Sequence, residues 1–303
     1  MRIGMWGVVA AAVLWGTAGM TAKVLTTNYG TDPLTIGAFR LLFSAPVLLA
    51  ATWQESVRTG SIGRLTSRSW LWLVLFGVGV AGYQACYFSA VGQTMVSTAT
   101  LLTVCTAPLM VSVVASWWLK ERWTSTTGWA LVLGVIGTSM LIGLHSLQGL
   151  TEPRLWQGNL LALAAAACYG GYTLISKRLV GDVPPLLVIG VAFSIGAILS
   201  IPVLSWPVLP WQGWLLLVYL GWVPTAMAYV LFIHGMRYVT ATSASIWSLA
   251  EPLTATLLAI TLLGERLSFS GWLGAVILLC SMFLTAKKEA KSNDSTIADK
   301  MKT

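Results

Sequence analysis

Two charged residues, Glu251 and Arg40, fall well inside long apolar stretches of the sequence. A charge at the centre of a membrane-spanning helix costs on the order of 3 kcal/mol, so such residues are rare and are functional candidates. Glu251 precedes Pro252, whose missing N–H leaves the carbonyl of Ser248 without its helical donor. The carboxyl group could bind an amine, or take up and release a proton, in a cavity. Alternatively, a neutral Glu251 could bond the backbone freed at a proline kink, and both interpretations stay open at this point.

Arg40 lies about seven residues from one end of its apolar stretch. Its guanidinium group could hold a carboxylate ligand through two parallel hydrogen bonds. It could also pair with carbonyl groups or an acid and so lock helices together, or extend towards the membrane surface. We favour the structural role, because the corresponding position of the internal repeat described below is apolar, around Ala192.

Polar and aromatic residues recur at helical spacing in several of the apolar stretches. Tyr169, Tyr172, Thr173 and Ser176, for example, lie at i, i+3, i+4 and i+7, on one helix face. Any one such stripe is equally consistent with helix packing, but four stripes on repeat-related helices favour a cavity with aromatic walls, hydroxyl groups and one carboxylate. Such a cavity suits a zwitterionic or amphipathic metabolite better than a phosphate or a bare ion. The predicted cavity residues are Trp15, Tyr83, Gln84, Tyr87, Thr100, Thr103, Tyr169, Tyr172, Trp247, Ser248 and Glu251.

The stretches that must position these residues are predicted transmembrane helices. The chain has 303 residues, of which 56% are hydrophobic and only 9% charged, whereas a soluble domain is about one quarter charged. This composition excludes a soluble, disordered or disulfide-rich secreted protein. Apolar runs of about 20 residues cross the hydrocarbon core as helices, which predicts an all-α integral membrane protein. The ten runs are 3–24, 34–53, 70–90, 97–119, 124–144, 158–176, 185–206, 213–234, 243–263 and 269–286.

The distribution of basic residues predicts the orientation of the chain. Of the 18 Lys and Arg residues, 14 fall on one side of the membrane if the termini are cytoplasmic, as the positive-inside rule requires. We therefore expect a multi-pass protein of the cytoplasmic (inner) membrane with both termini inside. The net charge of +8 indicates orientation rather than nucleic-acid binding. The four cysteines and two histidines form no metal-binding pattern, so we expect neither a metal nor a cofactor.

The chain carries an internal repeat. A shift of 154 residues matches the first run to the sixth, and a shift of 144 residues matches later ones. Each copy has five runs, so the second must enter the membrane in the opposite sense, as in secondary transporters with a site at the repeat interface. We predict five-helix repeats at 1–146 and 154–287 and a disordered cytoplasmic tail at 288–303. The 144-residue shift pairs Trp70 with Trp214, Gly77 with Gly221, Phe88 with Phe232, Pro108 with Pro252, Glu121 with Glu265, and Arg122 with Arg266.

The two Glu-Arg pairs end the fourth and ninth runs on opposite sides of the membrane. With Arg40, Pro108 and Pro252, they are candidates for a structural or gating role. They could be matched parts of an inner and an outer gate. We favour simple polar anchors, because arginine is favourable at a helix C-terminus. The residues of the two pairs are Glu121, Arg122, Glu265 and Arg266.

Three segments carry a resemblance to a known family: Phe39-Arg40-Leu41-Leu42, Ala107-Pro108-Leu109 with Lys120-Glu121-Arg122, and Glu251-Pro252-Leu253 with Gly264-Glu265-Arg266-Leu267. They resemble EamA-type transporters of the drug/metabolite transporter superfamily, over residues 4–286. The resemblance implies a ten-helix exporter of small metabolites, often amino acids or their analogues, with a cavity between two five-helix bundles. Small multidrug relatives use a carboxylate in their first helix, which is absent here and argues against a purely cationic substrate.

We therefore expect a secondary transporter that exports amino acids or related compounds by alternating access. A multidrug exporter of organic cations and a channel-like facilitator are the alternatives. We do not expect an enzyme, because the runs contain no cluster of catalytic side chains. The expected partners are the small-molecule substrate and the lipid bilayer, with no nucleic acid and no obligate protein partner.

Overall fold

The computed structural model describes residues 2–59, 65–264 and 266–300, which are helical apart from short connections. Within these ranges, ten helices are long and apolar enough to span a membrane, which confirms the predicted fold class. In chain order they are α1 (Ile3–Tyr29), α2 (Pro33–Thr59), α3 (Ser67–Gln93), α4 (Val96–Trp118), α5 (Ser125–Ile142), α6 (Pro153–Leu179), α7 (Pro185–Val203), α8 (Trp211–Met236), α9 (Ala241–Leu262) and α10 (Phe269–Ala290).

Local sequence signals set several helix ends. The hydroxyl of Thr66 accepts a hydrogen bond from Ser69 N at the start of α3, and that of Thr240 accepts one from Ser243 N at the start of α9. Helix α9 ends at Gly264, where φ is +68°, a conformation that favours glycine. We call the end of the bundle that contains Lys120, Lys177 and the start of α9 the basic end, and the other the opposite end.

The two halves exchange their first helices. Helix α1 packs against α8 and α9 of the second half, and α6 packs in the same way against α3 and α4 of the first. Helix α2 contacts α7, and α5 contacts α10, so each helix meets the partner that the repeat assigns to it. This pseudo-symmetric packing confirms the inverted-repeat fold.

Two glycines allow the exchanged helices to approach closely, but to different degrees. A methyl group at Gly16 of α1 would lie 2.6 Å from Cβ of Thr254 and 2.7 Å from the carbonyl oxygen of Glu251. At Gly170 of α6, its repeat equivalent, the nearest atom would be 3.4 Å away, on Val111. The contact of α1 with α9 therefore requires glycine, whereas that of α6 with α4 leaves room for a methyl group.

The second half contains two backbone irregularities that its counterpart lacks. Helix α8 passes through a π-helical turn at Trp222–Met227, around Pro224, and π turns are frequent at functional sites. Helix α9 is broken between Ala241–Trp247 and Ala250–Leu263. The corresponding helices α3 and α4 are continuous, and α4 runs through Pro108 without a break.

The last helix extends further than the sequence indicated. It continues to Lys300, where composition had predicted a disordered tail from residue 288 onwards. Lysine, glutamate and alanine, which dominate Lys287–Ala290, are good helix formers. Glu289 is buried rather than solvated and bonds the start of α9, so this part of the tail belongs to the folded bundle.

Candidate functional site

Glu251 lies in the first turn of the second piece of α9, directly after the break. Pro252 has no N–H to offer the carbonyl of Ser248, and the chain tightens there, with Glu251 N bonded to Ser248 O at 3.0 Å. Among the described residues, none donates a hydrogen bond to the Glu251 carboxylate. The positive end of the half-helix dipole favours a negative charge at this place. The break therefore places a carboxylate without a hydrogen-bond donor among the described residues beside the cavity described next.

The Glu251 side chain lines a small cavity at the junction of the two halves. The cavity has a volume of about 20 Å³, which is room for roughly one water molecule. Helices α3 and α4 of the first half and α6 and α9 of the second supply its walls. They contribute Tyr83, Thr103, Val104, Ala107, Pro108, Tyr169, Ser245, Ser248, Leu249 and Glu251.

An aromatic wall extends from two tyrosines that line this cavity, Tyr83 and Tyr169. Tyr83 stacks on Tyr87 with ring centroids 5.9 Å apart and lies 6.0 Å from Tyr169. The hydroxyl groups of Tyr172 and Tyr229 are 2.7 Å apart, so one donates to the other. On the far side, the ring of Trp15 lies 5.1 Å from that of Tyr229. The aromatic residues of α1, α3 and α6 thus lie together, as their sequence spacing predicted.

Tyr229 of α8 was not among the residues predicted from the sequence. Its repeat counterpart is Ala85, so the duplication gives no sign of it. The available signal is its spacing: Tyr229 lies three residues before Phe232, which the repeat pairs with Phe88. Residues three apart share a helix face, and both rings indeed lie close to Trp15.

Several polar atoms in this region have no partner. Within the described part of the chain, Nε1 of Trp15, the hydroxyl of Tyr169 and Oγ1 of Thr173 are buried without a hydrogen bond. Trp15 is only 5% exposed. Buried polar groups in folded proteins are nearly always hydrogen-bonded, so these atoms are available to a polar ligand that enters the cavity region.

Arg40 projects towards the same wall from α2. Its Nε atom donates to Oγ1 of Thr225 at 3.3 Å, and Thr225 lies in the π-helical turn of α8. The guanidinium group is half-buried and lies within electrostatic reach of Glu251, Tyr83 and Tyr229. Arg40 and Glu251 form no ion pair. Arg40 therefore links α2 to α8 and interacts electrostatically with Glu251, although its side chain does not line the cavity itself.

Two predicted cavity residues point elsewhere. Trp247 is 1% exposed, and its indole N–H donates to the carbonyl of Met282 in α10 at 3.2 Å. Gln84 lines a separate groove between α2, α3 and α7, because successive helical residues differ by about 100° in direction. Thr100 and Thr103 support the wall: Thr100 bonds the hydroxyl of Tyr87 at 3.0 Å, and Thr103 donates to the carbonyl of Ala162.

Glu121 joins the two halves at the basic end. Its two carboxylate oxygens accept hydrogen bonds from Ala241 N at 2.6 Å and Thr242 N at 3.1 Å. It thereby caps the N-terminus of α9 from the other half of the molecule, which favours a negative charge. The neighbouring Arg122 is exposed. Glu121 is thus an inter-repeat contact, and not only the helix-end anchor that we favoured from the sequence.

A second carboxylate, that of Glu289 in α10, binds the same end of α9 from within the second half. The Oε1 atom of Glu289 lies 2.5 Å from the hydroxyl of Ser243 and 2.6 Å from that of Thr240, and both donate to it. Lys177 of α6 donates to the carbonyl of Met236 at 2.8 Å and is attracted by both glutamates. We call Glu121, Lys177, Glu289 and residues 240–243 the basic-end clasp. Sequence reasoning missed Glu289 because it lies in the segment predicted to be a disordered tail.

The remaining candidates lie apart from these two centres. Arg266 is exposed at the opposite end, and Glu265 falls outside the described residues. A larger recess, of about 370 Å³, lies at the basic end between α2 and the α6–α7 connection, where Glu55, Asp182 and Arg237 contribute to its walls. None of the predicted cavity residues lines it.

The chain is similar to known proteins in sequence and, separately, to a solved structure in fold. The chain is 35% identical over 298 residues to the uncharacterized transporter YwfM of Bacillus subtilis, covering 96% of each chain. It is 27% identical to the uncharacterized inner membrane transporter YicL of Salmonella typhimurium, covering 93% of this chain and 95% of that protein. A solved crystal structure superposes with a TM-score of 0.78 at 24% identity, over 93% of this chain and 98% of its own, and shows the fold alone.

Each copy of the internal repeat matches the same known protein family. The EamA-like transporter family matches the chain twice, over residues 2–143 and 156–287, once for each half. Together, the two matches cover nearly all of the ten helices. The chain therefore belongs to the EamA-like transporter family and is a multi-pass membrane transporter, not an enzyme.

Proposed function

We propose that this protein is a secondary transporter that exports amino acids or related small metabolites across the cytoplasmic membrane by alternating access. The observation that carries the proposal is the Glu251 carboxylate, which has no protein partner among the described residues and lies at a helix break between the two halves. Broken helices at the interface of inverted repeats form the substrate sites of secondary transporters. The basic end is then cytoplasmic, as the positive-inside rule requires.

The closed geometry supports a carrier over a channel-like facilitator. The cavity at Glu251 has room for about one water molecule, and Glu121 of the basic-end clasp holds the two halves together on one side of it. A substrate of several heavy atoms can enter only after the helices move apart. A protein that must rearrange for each substrate works as a carrier.

The exchanged packing suggests how the rearrangement happens. Helices α1 and α6 each pack in the opposite half, so a movement of one half carries the first helix of the other with it. Breaking the clasp would open the basic end to the cytoplasm. The first half could then adopt the conformation that the second has here, which is how inverted repeats alternate access.

The cavity chemistry favours amino acids as substrates. A carboxylate attracts an amine, hydroxyl groups offer hydrogen bonds, and aromatic rings bind apolar side chains and cations. The same carboxylate and rings would also attract an organic cation, so multidrug export is the second candidate. The two candidate functions differ in whether the substrate must carry a carboxylate of its own.

Counterflow in proteoliposomes tests the proposal. Vesicles containing purified protein are loaded with an unlabelled amino acid and diluted into the labelled compound, and the transient accumulation is measured for all twenty standard amino acids and for tetraphenylphosphonium. A carrier of amino acids accumulates at least one of them, with saturation. Saturable counterflow of the organic cation alone would transfer the assignment to multidrug export. Linear, non-saturating flux would contradict a carrier.

Glu251→Gln addresses the role of the carboxylate in the same assay. We expect counterflow to fall by at least ten-fold, because a charge-assisted bond to the amine is lost. Glu152→Gln, a change of the same kind at an exposed connection between the halves, is the matched control and should transport normally. Equal transport by both variants would show that Glu251 does not bind substrate.

A further inference from the structure

The geometry points to a two-ended site for a zwitterion, in which Arg40 binds the carboxylate of the substrate and Glu251 binds its ammonium group. This inference rests on the proposed function and deepens it. It assigns a binding role to Arg40, for which the sequence alone favoured a structural one. It also states which chemical groups a substrate must carry.

The first observation is that two opposite charges lie inside the same helix bundle without contacting each other. Arg40 and Glu251 attract one another electrostatically, but they form no ion pair. Uncompensated charges inside a membrane protein are costly, and direct pairing is the usual remedy. A ligand that carries both charges would neutralise both residues at once.

The second observation is that each residue has unused hydrogen-bonding capacity. Arg40 uses only Nε, on Thr225, so its two terminal nitrogens bond no residue in the described ranges. A guanidinium group has five N–H donors arranged as a fork that matches a carboxylate. The carboxylate of Glu251 likewise accepts no hydrogen bond from the described residues, and its oxygens match an ammonium group.

The third observation is the aromatic wall near the two charges. Tyr83, Tyr87 and Tyr229 each interact electrostatically with both Arg40 and Glu251. Tyr83 lines the cavity at Glu251, and Tyr229 lies one helical turn from Thr225, the partner of Arg40. Tyrosine faces attract cations and would hold the ammonium group on its way to Glu251. The nearby N–H of Trp15, buried and unpartnered, offers one further donor.

The backbone orients the two charged residues of the proposed site independently of each other. The π-helical turn of α8 presents Thr225 to Nε of Arg40, which orients the guanidinium group. The break in α9 orients Glu251. Since α2 belongs to the first half and α9 to the second, a zwitterion held at both ends would bridge the halves. Substrate binding would thus favour the state in which they are close together.

Binding to the purified full-length protein in detergent tests the inference. The twenty standard amino acids are screened by thermal shift, and those that bind are measured by isothermal titration. Each is compared with its decarboxylated amine and its deaminated acid. We expect at least one amino acid to bind, and both analogues to bind about ten-fold to a hundred-fold more weakly, since each lacks one charge-assisted contact. An amine that binds as tightly as its amino acid, or binding of none of the twenty, would overturn the inference.

Variants separate binding from mere structural support. Arg40→Gln should lower the affinity for the amino acid by ten-fold or more and leave the affinity for the amine unchanged. Glu251→Gln should lower both affinities. Arg122→Gln, at an exposed arginine, is the control. If Arg40→Gln weakens amino acid and amine equally, Arg40 only supports the fold. Binding that discriminates as expected, without counterflow in liposomes, would refute the transport function while leaving the site intact.

Discussion

Replacing Glu121 with glutamine should open the basic end of the transporter. The carboxylate accepts two backbone hydrogen bonds, at 2.6 Å from Ala241 and 3.1 Å from Thr242. Glutamine keeps one acceptor oxygen but turns an NH₂ group towards the second N–H, and it removes the charge that the helix N-terminus favours. Losing one charge-assisted bond costs about 2 kcal/mol, which shifts the ratio of open to closed molecules by roughly thirty-fold.

Double electron–electron resonance, which measures distances between spin labels, would detect the shift from closed to open molecules. Spin labels at Trp123 and Tyr238, two exposed positions on opposite halves of the basic end, are placed in a variant whose four free cysteines, at positions 86, 105, 168 and 280, are replaced by alanine. Glu121→Gln should enlarge the population with a long distance, and Arg122→Gln should leave it unchanged. A distribution that stays the same in both variants would show that the clasp does not hold the halves together.

Further predictions concern the packing around the cavity. Gly16→Ala places a methyl group 2.6 Å from a neighbouring side chain, so transport and melting temperature should fall, whereas Gly170→Ala, with 3.4 Å of space, should behave like the wild type in the same assays. Tyr172→Phe and Tyr229→Phe each break the same hydroxyl contact, so each should destabilise the protein by about 1 kcal/mol and the double variant by no more than either; additive losses in thermal unfolding would contradict a shared bond. Glu289→Gln should lower the melting temperature by several degrees, because it weakens two buried hydrogen bonds; an unchanged value would mean that the tail contributes nothing to the fold.

The spans and their repeat could be predicted because hydrocarbon imposes simple rules. A helix must be apolar and about 20 residues long, and an odd number of spans per repeat inverts the second copy. The aromatic cluster of Trp15, Tyr83 and Tyr169 followed from helical spacing in regular helices. Where the backbone stays regular, the sequence therefore predicts which faces meet.

Gln84, in the regular helix α3, was misplaced because it faces about 100° away from its neighbour Tyr83. Other residues were misplaced because the backbone is not regular. Trp247 shares a stripe with Glu251 only if α9 is one continuous helix, and the break directly after it turns the indole towards α10. The link between Arg40 and Thr225 depends on a π-helical turn, which no periodicity reveals. Glu289 was misjudged because composition says that a segment is polar but not which buried helix end it caps.

Alternating access to the cavity at Glu251 is the central claim, and thiol labelling from each side of the membrane tests it most directly. Ser248→Cys places a thiol in the cavity wall, in the background without native cysteines, and a second version adds Glu121→Cys and Thr242→Cys to cross-link the basic-end clasp. We expect a membrane-impermeant maleimide to label position 248 from either side before cross-linking, and from the opposite side only after it. Labelling from the basic end that persists after complete cross-linking, or a position 248 that neither side can reach, would contradict the account.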